Sequence, residues 1–245
     1  MSDALNNYIY WAWQRRAELT TLIFERTNGT VYQGPFKGMK ILPKWSWGDG
    51  DSAGKLLGLY ECELFDVIEL EIAKQPDLVL NIGSAEGFYG LGFGVRTNAT
   101  IVLVDVAKTA IDIARENAKV NNINNIQFST DSSVENFRSY LSKSKNALVF
   151  MDCEGYEEEF LDLTAIPELV NASVIVESHD CIRAGITDKI IQRFQDTHDI
   201  KIILQGWKNP YLDITFDLCD YDKTLLCSEA RPSTMNWLYM TPKIK

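Results

Sequence analysis

Leu78-Val79-Leu80-Asn81-Ile82 is a short apolar run that stops at Gly83-Ser84-Ala85-Glu86-Gly87. The run reads as a buried strand, and the residues after it as a strand-to-helix turn. Gly83 permits the tight turn, and Gly87 permits close packing of the new helix on the strand. Backbone N–H groups at that helix N-terminus then face a ligand. The dinucleotide spacing GxGxxG is not met, because Ala85 and Phe88 stand at its second and third glycine positions. An alanine at 85 crowds a pyrophosphate but tolerates a smaller ligand without phosphates.

Working outward, the same grammar repeats. Ile101-Val102-Leu103-Val104 ends in Asp105, Ile126-Gln127-Phe128 leads to Asp131-Ser132, and Ala147-Leu148-Val149-Phe150-Met151 ends in Asp152. Val174-Ile175-Val176 runs into Glu177-Ser178-His179-Asp180. Helical patterns follow at 109–120 and around Ile186, Ile190, Ile191 and Phe194. Apolar strands alternating with helices predict a doubly wound α/β domain, whose ligand lies in the crevice at the carboxyl ends of the strands. The polar residues gather at those ends, so the pattern places a site. Beyond 200, the segments 201–205 and 237–240 read as an antiparallel edge pair with no helix pattern between them.

The flanks are plainer. Leu5, Tyr8, Ile9, Ala12, Leu19, Leu22 and Ile23 predict a long amphipathic helix, and residues 30–42 predict short strands or a hairpin. A second helical stretch is expected over 56–72. Residues 1–54 are read as an extension capping the substrate side, and 55–245 as the ligand-binding domain. Twenty-four Lys and Arg stand against 34 Asp and Glu, a net charge of −10. That balance argues against nucleic-acid or anionic-membrane partners. Five cysteines without a CxxC suggest neither a disulfide framework nor a zinc site, and a cytoplasmic location is expected. No signal peptide or membrane span is read.

Most candidate residues have a plain reading beside the functional one. Asp105, 22 residues beyond Gly83, is placed to accept from both ribose hydroxyls; its plain alternative is a helix cap. It points to an adenosine-type ligand without separating NAD from S-adenosylmethionine (SAM). Asp131 is an adenine-amino acceptor or a loop acid. Asp152 binds the cofactor amine, anchors a metal or holds the substrate. Glu157, Glu158 and Glu159 are read as a solvated first helical turn. His179, one of two histidines, is a proton acceptor, a structural hydrogen-bonder or a metal ligand. Asp152, His179 and Asp180 offer donors for a divalent cation, but no metal site is assigned and metal is the less favoured reading. His198 is read as a cap or surface residue. Asn209-Pro210-Tyr211 is read as a turn, and Trp45, Trp47 and Trp237 as a candidate substrate platform, with Trp237, in an apolar strand, read as core.

Taken together, these motifs resemble class I SAM-dependent methyltransferases of the FkbM-type group. The resemblance rests on Asn81 through Tyr89, Asp105, Asp131 and Asp152-Cys153-Glu154-Gly155-Tyr156-Glu157, with Ile175-Val176-Glu177 similar to the group's fifth-strand acid. It implies a seven-stranded, mostly parallel sheet of order 3-2-1-4-5-7-6. It also implies SAM as cofactor and O-methylation of a small hydroxylated acceptor, of sugar or natural-product type. Cofactor contacts are expected from Asn81, Gly83, Ser84, Ala85, Glu86, Gly87, Asp105, Asp131, Ser132 and Asp152, and catalytic roles from His179, Asp180 and Glu154. The expected partner is the small-molecule acceptor; a homo-oligomer is compatible. The chain departs from the group at Asn81, which replaces an acid, and at the His179-Asp180 pair. The alternatives are an NAD-dependent oxidoreductase and a non-catalytic SAM- or nucleotide-binding module.

Overall fold

The computed structural model describes residues 3–46, 51–206, 208–209, 215–229, 231 and 233–243. Seven strands form one sheet: β1 (Leu78–Ile82), β2 (Thr100–Val104), β3 (Ile126–Ser129), β4 (Ala147–Met151), β5 (Ser173–Ser178), β6 (His198–Leu204) and β7 (Asn236–Pro242). Their order is β3-β2-β1-β4-β5-β7-β6. The pairs within β1–β5 are parallel, and β7 runs antiparallel between β5 and β6. The fold is the doubly wound α/β sheet that the sequence predicts.

Strand pleating sends alternate side chains to opposite faces, and each face has its own core. Val79, Leu103, Phe150, Ile175 and Trp237 face one way and meet α3 (Phe65–Ala73), α4 (Phe88–Arg96) and α5 (Lys108–Val120). Leu80, Val102, Val149 and Val176 face the other way and meet α6 (Val134–Leu141) and α8 (Ile186–Phe194). Strands β1, β4 and β5 are buried along their whole length, which is why apolar residues dominate their centres. At the edge, β6 leaves Ile202 and Leu204 exposed. A short α7 (Glu157–Phe160) follows β4.

The flanks hold the differences from the sequence reading. Helix α1 (Asp3–Thr27) forms, but its apolar residues divide: Leu19 and Ile23 are buried, while Leu5, Tyr8 and Ile9 are exposed. Its buried half packs on α2 (Ser52–Leu57) and on α9 (Asp220–Cys227), a helix between β6 and β7 that the pattern did not show. The predicted hairpin is reduced to a single antiparallel bridge, Thr30 to Lys40. The helix expected over 56–72 is broken. Gly58 takes φ +68°, and its missing Cβ would lie 2.0 Å from the Gln33 carbonyl, so only glycine ends α2 there. His198 is buried rather than superficial; its Nε2 lies 3.1 Å from the Ala172 carbonyl oxygen. Trp237 is core. Trp47, Pro210 and Tyr211 lie outside the described residues. Among the described residues, no helix is long and apolar enough to cross a membrane.

Candidate active site

Register brings the site together. Ile82 pairs with Val104 on one side and Met151 on the other, and Met151 pairs with Val176. Gly83, Asp105 and Asp152, just past their strands, and Glu177, near the end of β5, therefore stand at one level across four adjacent strands.

At the β1 end, Gly83 (φ +69°) approaches β4 so closely that a Cβ would stand 1.7 Å from the Asp152 carbonyl oxygen. Ala85 holds φ +45°, a left-handed conformation that costs a non-glycine residue about 1–2 kcal/mol. Its N–H donates to Asp105 Oδ2 at 2.8 Å, while Oδ1 accepts from the Ala107 N–H at 2.8 Å. Asp105 thus stitches the loop after β1 to the loop after β2. Gly87 does not face the crevice; a Cβ there would meet Leu103 and Leu91, so it serves the packing of α4. Asn81 is committed to backbone: Oδ1 accepts from the Gly90 N–H at 3.0 Å and Nδ2 donates to the Phe150 carbonyl at 3.4 Å.

A cavity of ≈ 760 Å³ opens over these ends. Of the expected cofactor residues, Asn81, Gly83, Ser84, Ala85, Glu86, Asp105, Ser132 and Asp152 line it. The Ser84 hydroxyl is buried there without a hydrogen-bond partner. Glu86 is spoken for by Lys55 (2.6 Å) and Ser46 (2.9 Å). Burial alone would raise the Glu86 carboxyl, but the Lys55 ammonium outweighs it and holds it at about 2. Asp131 stands apart from the lining: it is exposed, and its carboxylate accepts from the Ser133 N–H at the start of α6. Its neighbour Ser132 takes the place at the wall.

The β4 and β5 ends carry a different chemistry. His179 is 2% exposed. Its Nδ1 is 2.7 Å from Glu157, and its Nε2 is 3.5 Å from one oxygen each of Asp152, Glu154 and Glu177. Burial would lower the imidazole, but the hydrogen bond to Glu157 and the Asp152 charge outweigh it and raise it. Burial lifts the Asp152 carboxyl to about 6 against the pull of His179, and lifts Glu177 to about 10. Glu177 also pairs with Arg231, which binds Glu61 and Glu229 as well. Glu61 is buried and accepts from the Tyr89 hydroxyl. Asp180 does not join this group: it accepts from the Gly185 N–H at 2.8 Å and from the Thr187 hydroxyl, bracing the start of α8.

Four participants escaped sequence reasoning. Glu157, expected in water, is fully buried against His179. Within Glu157-Glu158-Glu159 nothing in residue type separates the buried acid from its solvated neighbours. Lys55, Glu61 and Arg231 come from outside the strand grammar, so no spacing rule pointed to them.

No family model matches the chain, and no curated protein matches it. Among solved structures the chain is similar to WbdD, a bifunctional kinase-methyltransferase (18% identity, TM-score 0.49). That alignment covers 79% of this chain and 42% of WbdD, so the chain spans less than half of that protein. It is also similar to a ribosomal protein L11 methylase from Lactobacillus delbrueckii subsp. bulgaricus, at 13% identity, 84% and 86% coverage and TM-score 0.48. A precorrin-6y C5,15-methyltransferase from Geobacter metallireducens GS-15 is similar at 12% identity, 72% and 87% coverage and TM-score 0.47.

Proposed function

We propose that the chain is a SAM-dependent methyltransferase that methylates an oxygen of a small hydroxylated acceptor, as the FkbM-type resemblance implies. The observation that carries the reading is Asp105: a carboxylate at the β2 end, facing the cavity and joined to the left-handed Gly83–Ala85 loop. Each of its oxygens accepts one backbone N–H, which fixes the carboxylate and leaves lone pairs for the two hydroxyls of a ribose. The buried, unpartnered Ser84 hydroxyl supplies a further polar contact. A dinucleotide fits less well, because the Ala85 N–H that a pyrophosphate would need already donates to Asp105.

Bound here, SAM supplies a methyl group already activated on a sulfonium. The protein's share is alignment, exclusion of water and proton removal. Trp13, Tyr60 and Tyr156 line the cavity wall, aromatic side chains suited to the apolar face of a hydroxylated ring. The acceptor proton leaves toward the carboxylate–imidazole group of Asp152, Glu154 and His179. A non-catalytic module does not need that group.

Calorimetric titration with S-adenosylhomocysteine tests the reading. The wild type is expected to bind, and Asp105→Ala to lose about 1.5–3 kcal/mol, the scale of lost charge-assisted hydrogen bonds. Equal affinities, or binding of NADH in place of the homocysteine nucleoside, would overturn it.

A further inference from the structure

Asp152 and Glu154 line the cavity at the β4 end, and the buried His179 stands behind them. Asp152, Glu154 and His179 each offer one ligating atom, and the three atoms lie within 4.8 Å of one another. The Nε2-to-oxygen distances to Asp152 and Glu154 are both 3.5 Å. That is long for a hydrogen bond. It matches two donors on one ion, since ligands about 2.1 Å from a tetrahedral centre stand about 3.4 Å apart.

Three further observations point the same way. The ring is pre-oriented: Glu157 accepts from Nδ1 at 2.7 Å, which turns the Nε2 lone pair of a neutral imidazole toward the two carboxylates. Asp152 Oδ1, the atom nearest Nε2, is buried and has no hydrogen-bond partner. The charge is also unbalanced. Glu61, Asp152, Glu154, Glu157 and Glu177 crowd around the single guanidinium of Arg231 and the single imidazole of His179. Carboxylates packed in excess of their counter-charges are costly, and one dication cuts that excess. Glu154 meanwhile accepts a left-handed φ of +54° in the loop that carries its carboxylate to His179.

We infer that Asp152, Glu154 and His179 bind one divalent cation, with Glu157 orienting the histidine behind them. One imidazole with two carboxylates suits a borderline ion such as Mn²⁺ or Zn²⁺ better than Ca²⁺ or Mg²⁺, which favour all-oxygen shells. Glu154 is half exposed, so the cation faces the cavity and has room for an acceptor oxygen. There it makes that oxygen's proton easier to remove, and with the cation bound the proton passes to a carboxylate oxygen of Asp152 or Glu154 that is not on the ion, not to His179. This role rests on the methyltransferase reading; the binding itself does not.

The test uses the full chain, stripped with a chelator and titrated with Mn²⁺, with the free ion followed by electron paramagnetic resonance. The wild type is expected to take up one Mn²⁺ per chain. E154Q, at a half-exposed position, keeps the fold and is expected to weaken binding at least about tenfold, with H179A and D152N losing more. D180N, adjacent in sequence but bonded elsewhere, is expected to bind as the wild type. No saturable uptake by the wild type, unchanged uptake by E154Q, or an equal loss in D180N overturns the site. A parallel titration with S-adenosylhomocysteine separates the two ideas. Mn²⁺ uptake without nucleoside binding ends the methyltransferase reading alone, and the reverse ends the cation site alone.

Discussion

The two halves of the cavity use acidic residues in opposite ways. On the β1–β3 side, Asp105 accepts from backbone N–H groups, as Asp131 does just outside the lining, and Glu86 accepts from one lysine. Each acid there has a dedicated partner and shapes a loop. On the β4–β5 side, carboxylates face one another across His179 and share Arg231. The first arrangement holds a ligand-shaped wall; the second stores unbalanced charge, which is where proton or cation chemistry becomes possible. The same residue type is structural or reactive according to how its negative charge is met.

The contrast breaks most directly at Arg231. Arg231→Met leaves Glu61 and Glu177 buried without their guanidinium, and stability is expected to fall by about 3–5 kcal/mol in urea unfolding. A loss under about 1 kcal/mol, the range of exposed pairs, would mean the crowded half is no more tense than its neighbour. On the orderly side, Gly83→Ala pushes a Cβ into the Asp152 carbonyl at φ +69°. It is expected to cost about 2–4 kcal/mol by thermal unfolding, from the left-handed penalty plus overpacking. Wild-type stability would show that the loop is slack.

Lys55→Met is the mildest probe. It leaves the buried Glu86 carboxylate without its ammonium, for an expected loss of about 1–3 kcal/mol at neutral pH. The Glu86 carboxyl sits at about 2 when folded, below the ordinary value of about 4.3. A depressed carboxyl stabilises the fold above its unfolded value, and that contribution fades as pH falls toward the folded value. The gap between wild type and variant should therefore shrink between about pH 4.3 and about pH 2. A gap that is flat with pH would detach the effect from Glu86.

Much of this was legible in the sequence because the physics is local. Strands buried on both faces spell themselves as apolar runs, and a residue that ends such a run must stand at the sheet's edge; Gly83, Asp105 and Asp152 were found that way. What failed was whatever depends on distant partners. Glu157 is buried because α7 turns it under His179, while Glu158 beside it reaches Lys189 in solvent. Asp180 looked like a member of the site, yet the start of α8 claimed it. Helix α9 had no visible signal, since its few buried positions answer to α1 and α2 rather than to a stripe of its own.

The placement of β7 carries a last implication. This strand is wedged inside the sheet, bonded to β5 on one side and β6 on the other, although it follows both in the chain. The residue that balances Glu61 and Glu177 lies just upstream of it. In the folded sheet the slot beside β5 and the counter-charge of Glu61 and Glu177 are therefore both supplied by residues 231–242. Architecture and electrostatics are completed in one stroke, and a chain stopped short of Arg231 would lose both together.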